Sequence, residues 1–359
     1  MGPKSPAPNT SLLFEVTSRC NARCGFCYNA ARSAEGLDTS SALHLIEKVR
    51  DETGAYHVSF SGGEPLLRPD LGDLVRYAKG AGLKVTLVTN GLLIDRDKAA
   101  ELVESGIDLF QVTLLAADRE VHNRLAGGPF FERVVSAIAE LVSAGGRVAT
   151  SFVACKDNVG DFKRTLELNA LLRVRQVQFC RLNAGGLSLA AWSRLMPSPG
   201  GIDGALRDAS ATASKYGISV IASVPIMPCL SSVDDLPGIA LGFCGVGDPD
   251  HTLLAVSALG DLKVCPHSST SLGSALDTPI PELLRGRGRS DFIESVAEFC
   301  KDCPHVAVCR GGCRSAAQAC YGDAAEEDPF LKTWKETAVA SRNDPAFAQR
   351  RIAGRTCAA

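Results

Sequence analysis

The chain has 359 residues, 45% hydrophobic and 22% charged, which is enough apolar material for a large buried core and excludes a disordered chain. Its formal charge of −2, with no run of Lys and Arg interleaved with aromatics, lacks the footprint of a nucleic-acid-binding protein. No stretch reaches the roughly 18–20 apolar residues of a membrane span, and the polar run from Met1 to Ser11 has no signal-peptide core, so a cytoplasmic location is expected.

From residue 12 to residue 181, short β-branched runs alternate with stretches of helical period, the pattern of repeated βα units around a parallel sheet. Six strands are predicted, at 12–16, 57–61, 85–89, 109–114, 148–153 and 177–181. After the second, Leu71, Leu74, Val75 and Ala78 fall on one helical face, with Asp70 placed to cap the helix and Gly80 and Gly82 to end it. Six units make an α/β fold, a partial (β/α)6 TIM-like barrel over 1–195. Right-handed crossovers bring every strand's C-terminal end to one rim, where such barrels build active sites. The Pro- and Gly-rich run 195–204 reads as a linker that leads from the barrel into a bridging region 196–243, with a helix at 205–216 and a strand at 218–223. A small cysteine-rich unit spans 244–331, with a hairpin of 253–257 and 262–265 turning about Leu259-Gly260-Asp261, and 332–359 is a tail.

The chain holds fourteen cysteines, and a reducing compartment favours metal ligation or catalysis over disulfides. Three stand at 20, 24 and 27, seven lie from 244 to 320, and only Cys155, Cys180, Cys229 and Cys357 stand apart. Such clustering is not that of scattered core cysteines. Cys155, Cys180 and Cys229 read as buried structural residues, and Cys357 sits where chains fray.

Cys20-Asn21-Ala22-Arg23-Cys24-Gly25-Phe26-Cys27 places three thiolates on the loop after the first strand. They can wrap one face of an iron–sulfur cubane and leave one iron open, or begin a zinc knuckle that a distant ligand completes. Ser61-Gly62-Gly63-Glu64-Pro65 falls where the second strand ends. Its glycines allow close approach, their N–H groups suit a carboxylate and Glu64 suits an ammonium group, as in an amino acid; a tight strand-to-helix turn is the plainer alternative. The C-terminal series runs Cys244, Gly260, Cys265, Cys300-x2-Cys303-x5-Cys309-x3-Cys313 and Cys320, a pattern that taken alone also suits a zinc ribbon.

Taken together, the first two motifs resemble the radical S-adenosylmethionine (SAM) superfamily, with its CxxxCxφC loop and GGEP-like turn. The resemblance implies that Cys20, Cys24 and Cys27 bind a [4Fe-4S] cluster, that SAM chelates the fourth iron, that Phe26 packs near the adenine and that Glu64 holds the amino group, with Gly62, Gly63 and Pro65 in the same turn. Relatives often read VSLDG at strand four; here Val112-Thr113-Leu114-Leu115-Ala116 keeps the hydroxyl as Thr113 and lacks the acidic residue. The C-terminal series resembles the SPASM extension, which holds one or two auxiliary [4Fe-4S] clusters. By that resemblance Cys244, Cys265 and Cys313 hold the first, and Cys300, Cys303, Cys309 and Cys320 the second. Two departures stand out: Asp250 and His251 occupy the place of a further first-cluster cysteine, and Asp328-Pro329-Phe330-Leu331 replaces the usual DPxC. His122 is expected to be structural, and Arg181 to pair with a ligand carboxylate or in a surface ion pair.

In the family, a reduced cluster cleaves SAM to a 5′-deoxyadenosyl radical that abstracts a substrate hydrogen. The leading substrate is a ribosomally made precursor peptide, cross-linked, given a thioether or oxidised at a side chain. About ten residues precede the first strand, so a separate leader-binding protein is expected, alongside a flavodoxin- or ferredoxin-type electron donor. Sulfatase-maturating relatives place an Asp after the second SPASM cysteine, where this chain has Pro266. The alternatives are a dehydrogenase, decarboxylase or epimerase acting on a sugar, amino acid or tetrapyrrole, and a zinc-stabilised binding module.

Overall fold

The protein is described by a computed structural model covering residues 9–29, 35–233, 236–248, 250–350 and 354–356. Most of the N-terminal run and Cys357 lie outside the described residues. β1 (Thr10–Thr17), β2 (His57–Gly62), β3 (Lys84–Thr89), β4 (Leu109–Thr113), β5 (Val148–Ala154) and β6 (Gln176–Arg181) pair in parallel in chain order. All six lie where periodicity placed them. The strand expected at 218–223 is β7 (Ser219–Ser223), parallel on β6; the structure adds β8 (Ile239–Phe243), parallel on β7, so the sheet runs on through the bridging region. At the opposite edge β9 (Thr252–Val256) pairs in parallel with β1, followed by antiparallel β10 (Asp261–Lys263) and β11 (Ser271–Ser274). β12 (Gly354–Thr356) joins β8, and the twelve strands form one open sheet.

The expected hairpin exists, yet its first strand also covers the barrel's free edge. Leu254 and Val256 are buried there against the strand carrying Leu12 and Phe14. Edge coverage satisfies β1's outward N–H and C=O groups, which an open edge leaves to solvent. The predicted linker is partly helical: the helix Pro199–Tyr216 starts inside it, with Ser198 Oγ accepting from the Gly201 N–H and Pro199 at the first turn. A Ser-Pro pair is well suited to a helix start, and the buried face of Ile202, Leu206, Ala209 and Ala213 outweighs the glycines. The helix Leu71–Gly80 buries the four residues expected, but Asp70 does not cap it. Its carboxylate instead receives Arg68 at 2.7 and 2.8 Å and Thr39 Oγ1 at 2.6 Å, because a bidentate guanidinium outcompetes a single backbone N–H.

The two largest apolar clusters follow one another along the sheet. One gathers Phe14, Phe60 and Phe110 with the early helices, the other Phe152, Phe162 and Phe179 with the helix Pro199–Tyr216. The latter rings meet at centroid distances of 4.8, 5.7 and 4.8 Å, and truncating any one to Ala would cost about 3–5 kcal/mol. Among the described residues, no helix is long and apolar enough to cross a membrane.

Candidate active site

A cavity of about 390 Å³ opens at the C-terminal ends of the strands. Cys20, Cys24 and Cys27 line it from the loop after β1, Gly62 and Gly63 from the end of β2, Asn90 from the end of β3, Thr113 from the end of β4, and Cys180 from β6. The cysteine loop is held by the backbone of the glycine turn. The Gly63 N–H donates to Thr17 O and the Glu64 N–H to Arg19 O, both at 2.7 Å. A Cβ on Gly63 would lie 2.0 Å from Arg19 O, and one on Gly62, whose φ is 123°, 2.2 Å from Thr17 O. Both positions therefore require glycine. The expected role of these N–H groups changes accordingly: those of Gly63 and Glu64 are spent on the loop rather than offered to a carboxylate.

Glu64 also differs from expectation. Its side chain is fully buried behind the cavity wall, accepting from Thr89 Oγ1 at 2.7 Å, the Asn90 N–H at 2.8 Å and the Leu66 N–H at 3.2 Å. Burial pushes its carboxyl up to about 7, with these hydrogen bonds acting the other way. Pro65 is buried beside it in a 3-10 turn. Phe26 and Thr113 do line the cavity, Phe26 packing against the apolar cluster that includes Leu115 and Leu125. Asn90 was missed by sequence reasoning: its side-chain amide donates to Asn21 Oδ1 at 2.7 Å and lies 3.9 Å from Cys20 Sγ. The Ala22 N–H also donates to Cys20 Sγ, at 3.5 Å.

Cys244, Cys265 and Cys313 line the same cavity from the C-terminal unit. Arg314, itself buried, donates to Cys244 Sγ at 3.5 Å and to the Val246 carbonyl at 3.2 Å. Neither proposed stand-in for a fourth ligand joins them. Asp250 is exposed, and His251 Nε2 bonds Ser11 Oγ at 3.0 Å at the far end of β1. Between the two cysteine groups sit Tyr28 and His267, ring to ring at 4.6 Å. Burial pushes His267 down to about 4, with Lys263 adding to the effect, so its imidazole is neutral.

Arg181 is not at the surface: it is fully buried, donating to Asp328 Oδ2 at 2.7 Å and to Pro225 O at 3.1 Å, with Phe330 under its guanidinium at 4.7 Å. Asp328 Oδ2 also accepts the Cys313 N–H at 2.7 Å, so this pair ties the barrel rim to a cavity thiol. His122 Nδ1 accepts the Leu115 N–H at 3.2 Å, and the residue also lines the cavity. Cys155 is core, whereas Cys180 faces the cavity and sits 3.1 Å from Ser223 Oγ. In the cavity wall Gln111 Nε2 donates to Ser151 Oγ and to Gln178 Oε1, each at 2.7 Å, and Ser151 Oγ donates to Gln178 Oε1 at 3.3 Å. Asn183 on the rim is buried with neither amide atom paired within the described protein.

Cys300, Cys303 and Cys309 line a second, smaller cavity. Cys320, expected as their partner, is not there; it packs beside Cys313 and Ala316 on the helix Arg314–Tyr321. Cys229 is there instead, together with Leu331.

Burial holds these thiols protonated: Cys300 is pushed up to about 11, Cys229 to about 12, and Cys309 and Cys313 further still. Buried thiols of this kind ionise when a cationic metal core supplies the compensating charge, and N–H donors aimed at sulfur stabilise the thiolate. Among the described residues no group of three or more His, Cys, Asp or Glu side chains stands in an arrangement that could hold a metal ion. The thiols line the walls of the two cavities.

Residues 14–168 match the radical SAM superfamily. The chain is 29% identical to a protein of Streptomyces rochei called PqqA peptide cyclase, over 94% of this chain and 96% of the relative. It is 29% identical to the PqqA peptide cyclase of Gluconobacter oxydans, over 90% of each. Among solved structures, native anSMEcpe with bound AdoMet and Cp18Cys peptide matches with a TM-score of 0.69 at 19% identity, over 94% of this chain and 99% of that one. Streptococcus suis SuiB bound to precursor peptide SuiA matches with a TM-score of 0.69 at 14% identity, over 90% and 75%. The two structures establish the shared fold.

Proposed function

We propose that this protein, which carries a radical SAM domain over residues 14–168, cleaves S-adenosylmethionine reductively and modifies a ribosomally made precursor peptide. The observation that carries this reading is one cavity lined both by Cys20, Cys24 and Cys27 and by Cys244, Cys265 and Cys313. Relatives named PqqA peptide cyclase align over nearly the whole of both chains, which supports a peptide substrate.

Cys20, Cys24 and Cys27 would hold a [4Fe-4S] cluster, with SAM lying against Phe26, Gly62, Gly63 and Thr113. When bound, cluster and SAM supply one-electron cleavage and a radical able to take a hydrogen atom from substrate. The protein contributes position and exclusion. The glycine clasp fixes the cysteine loop, Glu64 fixes the ends of β2 and β3 beneath it, and the apolar packing of Phe26 keeps water from the reacting space. Gln111, Ser151, Gln178 and Asn183 offer donors and acceptors suited to peptide amides. Cys244, Cys265 and Cys313 are assigned to a first auxiliary cluster facing the substrate, and Cys300, Cys303 and Cys309 to a second. A flavodoxin- or ferredoxin-type protein is the proposed electron donor.

The test uses a synthetic copy of the peptide encoded in a short reading frame beside the gene, incubated without oxygen with protein, SAM and a strong reductant. Mass spectrometry is expected to show loss of two hydrogens, with deuterium from the labelled position carried into 5′-deoxyadenosine. An unchanged peptide, with 5′-deoxyadenosine formed at the rate seen without it, contradicts the peptide reading.

A further inference from the structure

Cys229 lies outside both cysteine series, fifteen residues before the C-terminal one begins, and no motif includes it. The structure nevertheless brings it to the wall that carries Cys300, Cys303 and Cys309. We infer that Cys229 is the fourth thiolate of the second auxiliary cluster, a position that Cys320 does not occupy.

The backbone explains the convergence. After β7 the chain turns at Met227 to Leu230, with the Leu230 N–H donating to Met227 O at 2.9 Å, and this turn carries Cys229 into the second core. Arg350 Nη1 donates to the Pro228 carbonyl at 2.7 Å and holds the turn from outside. Opposite it, Cys300 and Cys303 are joined by the Cys303 N–H to Cys300 O bond at 3.1 Å. Cys309 is followed by three successive left-handed residues, Arg310, Gly311 and Gly312, at φ of 53°, 78° and 96°. That run folds the chain back over the cysteines, so that a Cβ at Gly311 would lie 3.4 Å from Cys300 Sγ. Three thiols thus come from one segment and the fourth from a different element.

Leu331 marks why a substitute is needed. It stands in the Asp328-Pro329-Phe330-Leu331 run, where the resembled family ends in cysteine, and it faces this same cavity as an apolar, non-ligating side chain. Cys320 cannot compensate: it lies two helical turns beyond Cys313, lines neither cavity and packs with the residues around the first group. A centre with only three thiolates would leave an open iron in a site walled by Phe299, Phe347, Leu331 and Arg342, and by His305, whose Nε2 is already engaged with the Phe347 carbonyl at 2.7 Å. Four thiolates instead close it, as suits a site remote from the reaction cavity. The assignment rests on the proposed reading that the second cysteine group holds a cluster.

The test compares Cys229→Ala, Cys309→Ala and Cys320→Ala in the full-length protein purified and reconstituted without oxygen, by iron and sulfide content and by EPR of the reduced protein. Cys229→Ala and Cys309→Ala are each expected to lose about four irons, one [4Fe-4S] complement, with the same EPR component missing. Cys320→Ala is expected to keep both. Cys229→Ser, which preserves volume and supplies a hydroxyl, is expected to retain that component with shifted g-values, separating ligation from a folding defect. The inference is overturned if Cys309→Ala loses the component while Cys229→Ala and Cys229→Ser keep it unchanged, or if Cys320→Ala is the variant that loses it. If Cys309→Ala loses no iron, or the site copurifies with zinc, the second cluster itself is absent and the underlying reading fails with it.

Discussion

Asp328→Asn tests the structural link between the barrel and the cysteine-rich unit. Asp328 and Arg181 are both fully buried, and Asp328 also accepts N–H groups from Cys313 and Phe330. The substitution is isosteric and leaves an acceptor at one position, so it removes charge with little change of shape. Arg181 cannot release its proton, and its charge stays buried against Phe330 without a counterion. Breaking a buried pair on one side costs about 3–5 kcal/mol. Scaled to the unfolding entropy of a chain of this length, that cost lowers Tm by about 4–7 °C. Adding Arg181→Met to Asp328→Asn removes the orphaned charge and is expected to recover part of the loss. Differential scanning fluorimetry of the anaerobic, cluster-loaded protein reads all three. A Tm shift for Asp328→Asn below about 1 °C, or no recovery in the double variant, would refute the argument.

Gly63→Ala drives a Cβ into Arg19 O, so it is expected to displace the cysteine loop and lower iron bound at Cys20, Cys24 and Cys27 at least tenfold; full iron content would show that the clasp is dispensable. Glu64 carries a pH signature: with a folded pKa of about 7 against an ordinary 4.5, the folded protein binds the extra proton, so stability is present at low pH and lost as pH rises through that window. Glu64→Gln removes the dependence, and its stability relative to wild type should rise by about 3 kcal/mol from pH 4.5 to 8, whereas a constant difference would contradict a buried carboxyl. Asn183→Leu removes an unpaired buried amide, so Tm should hold or rise while kcat/KM falls about tenfold or more; unchanged kinetics would deny it a substrate contact.

Much of this was legible because the signals were local. Strand periodicity located β1 to β6, and eight residues after β1 placed three thiols on one loop. What sequence missed depended on long-range pairing. Nothing near Thr252 announces that β9 will cover β1, since an apolar run of that length suits a hairpin equally well. Glu64 has the residue type to bind an amine, yet its direction is set by Thr89 and Asn90 on a neighbouring strand. Cys320 sits at a plausible spacing for a ligand, but the helix Arg314–Tyr321 carries it away while a turn after β7 delivers Cys229. Spacing predicts ligands that share a loop and is silent on those supplied by another element.

The most direct measurement is 5′-deoxyadenosine formed from SAM by the anaerobically reconstituted protein under strong reductant, compared between wild type and Cys27→Ala, with iron counted in both. The account predicts product from wild type, none from Cys27→Ala, and an iron deficit in the variant of about one [4Fe-4S] complement. Product formed equally by both, or an iron content that Cys27→Ala does not change, would contradict the assignment of Cys20, Cys24 and Cys27 as the radical-generating site.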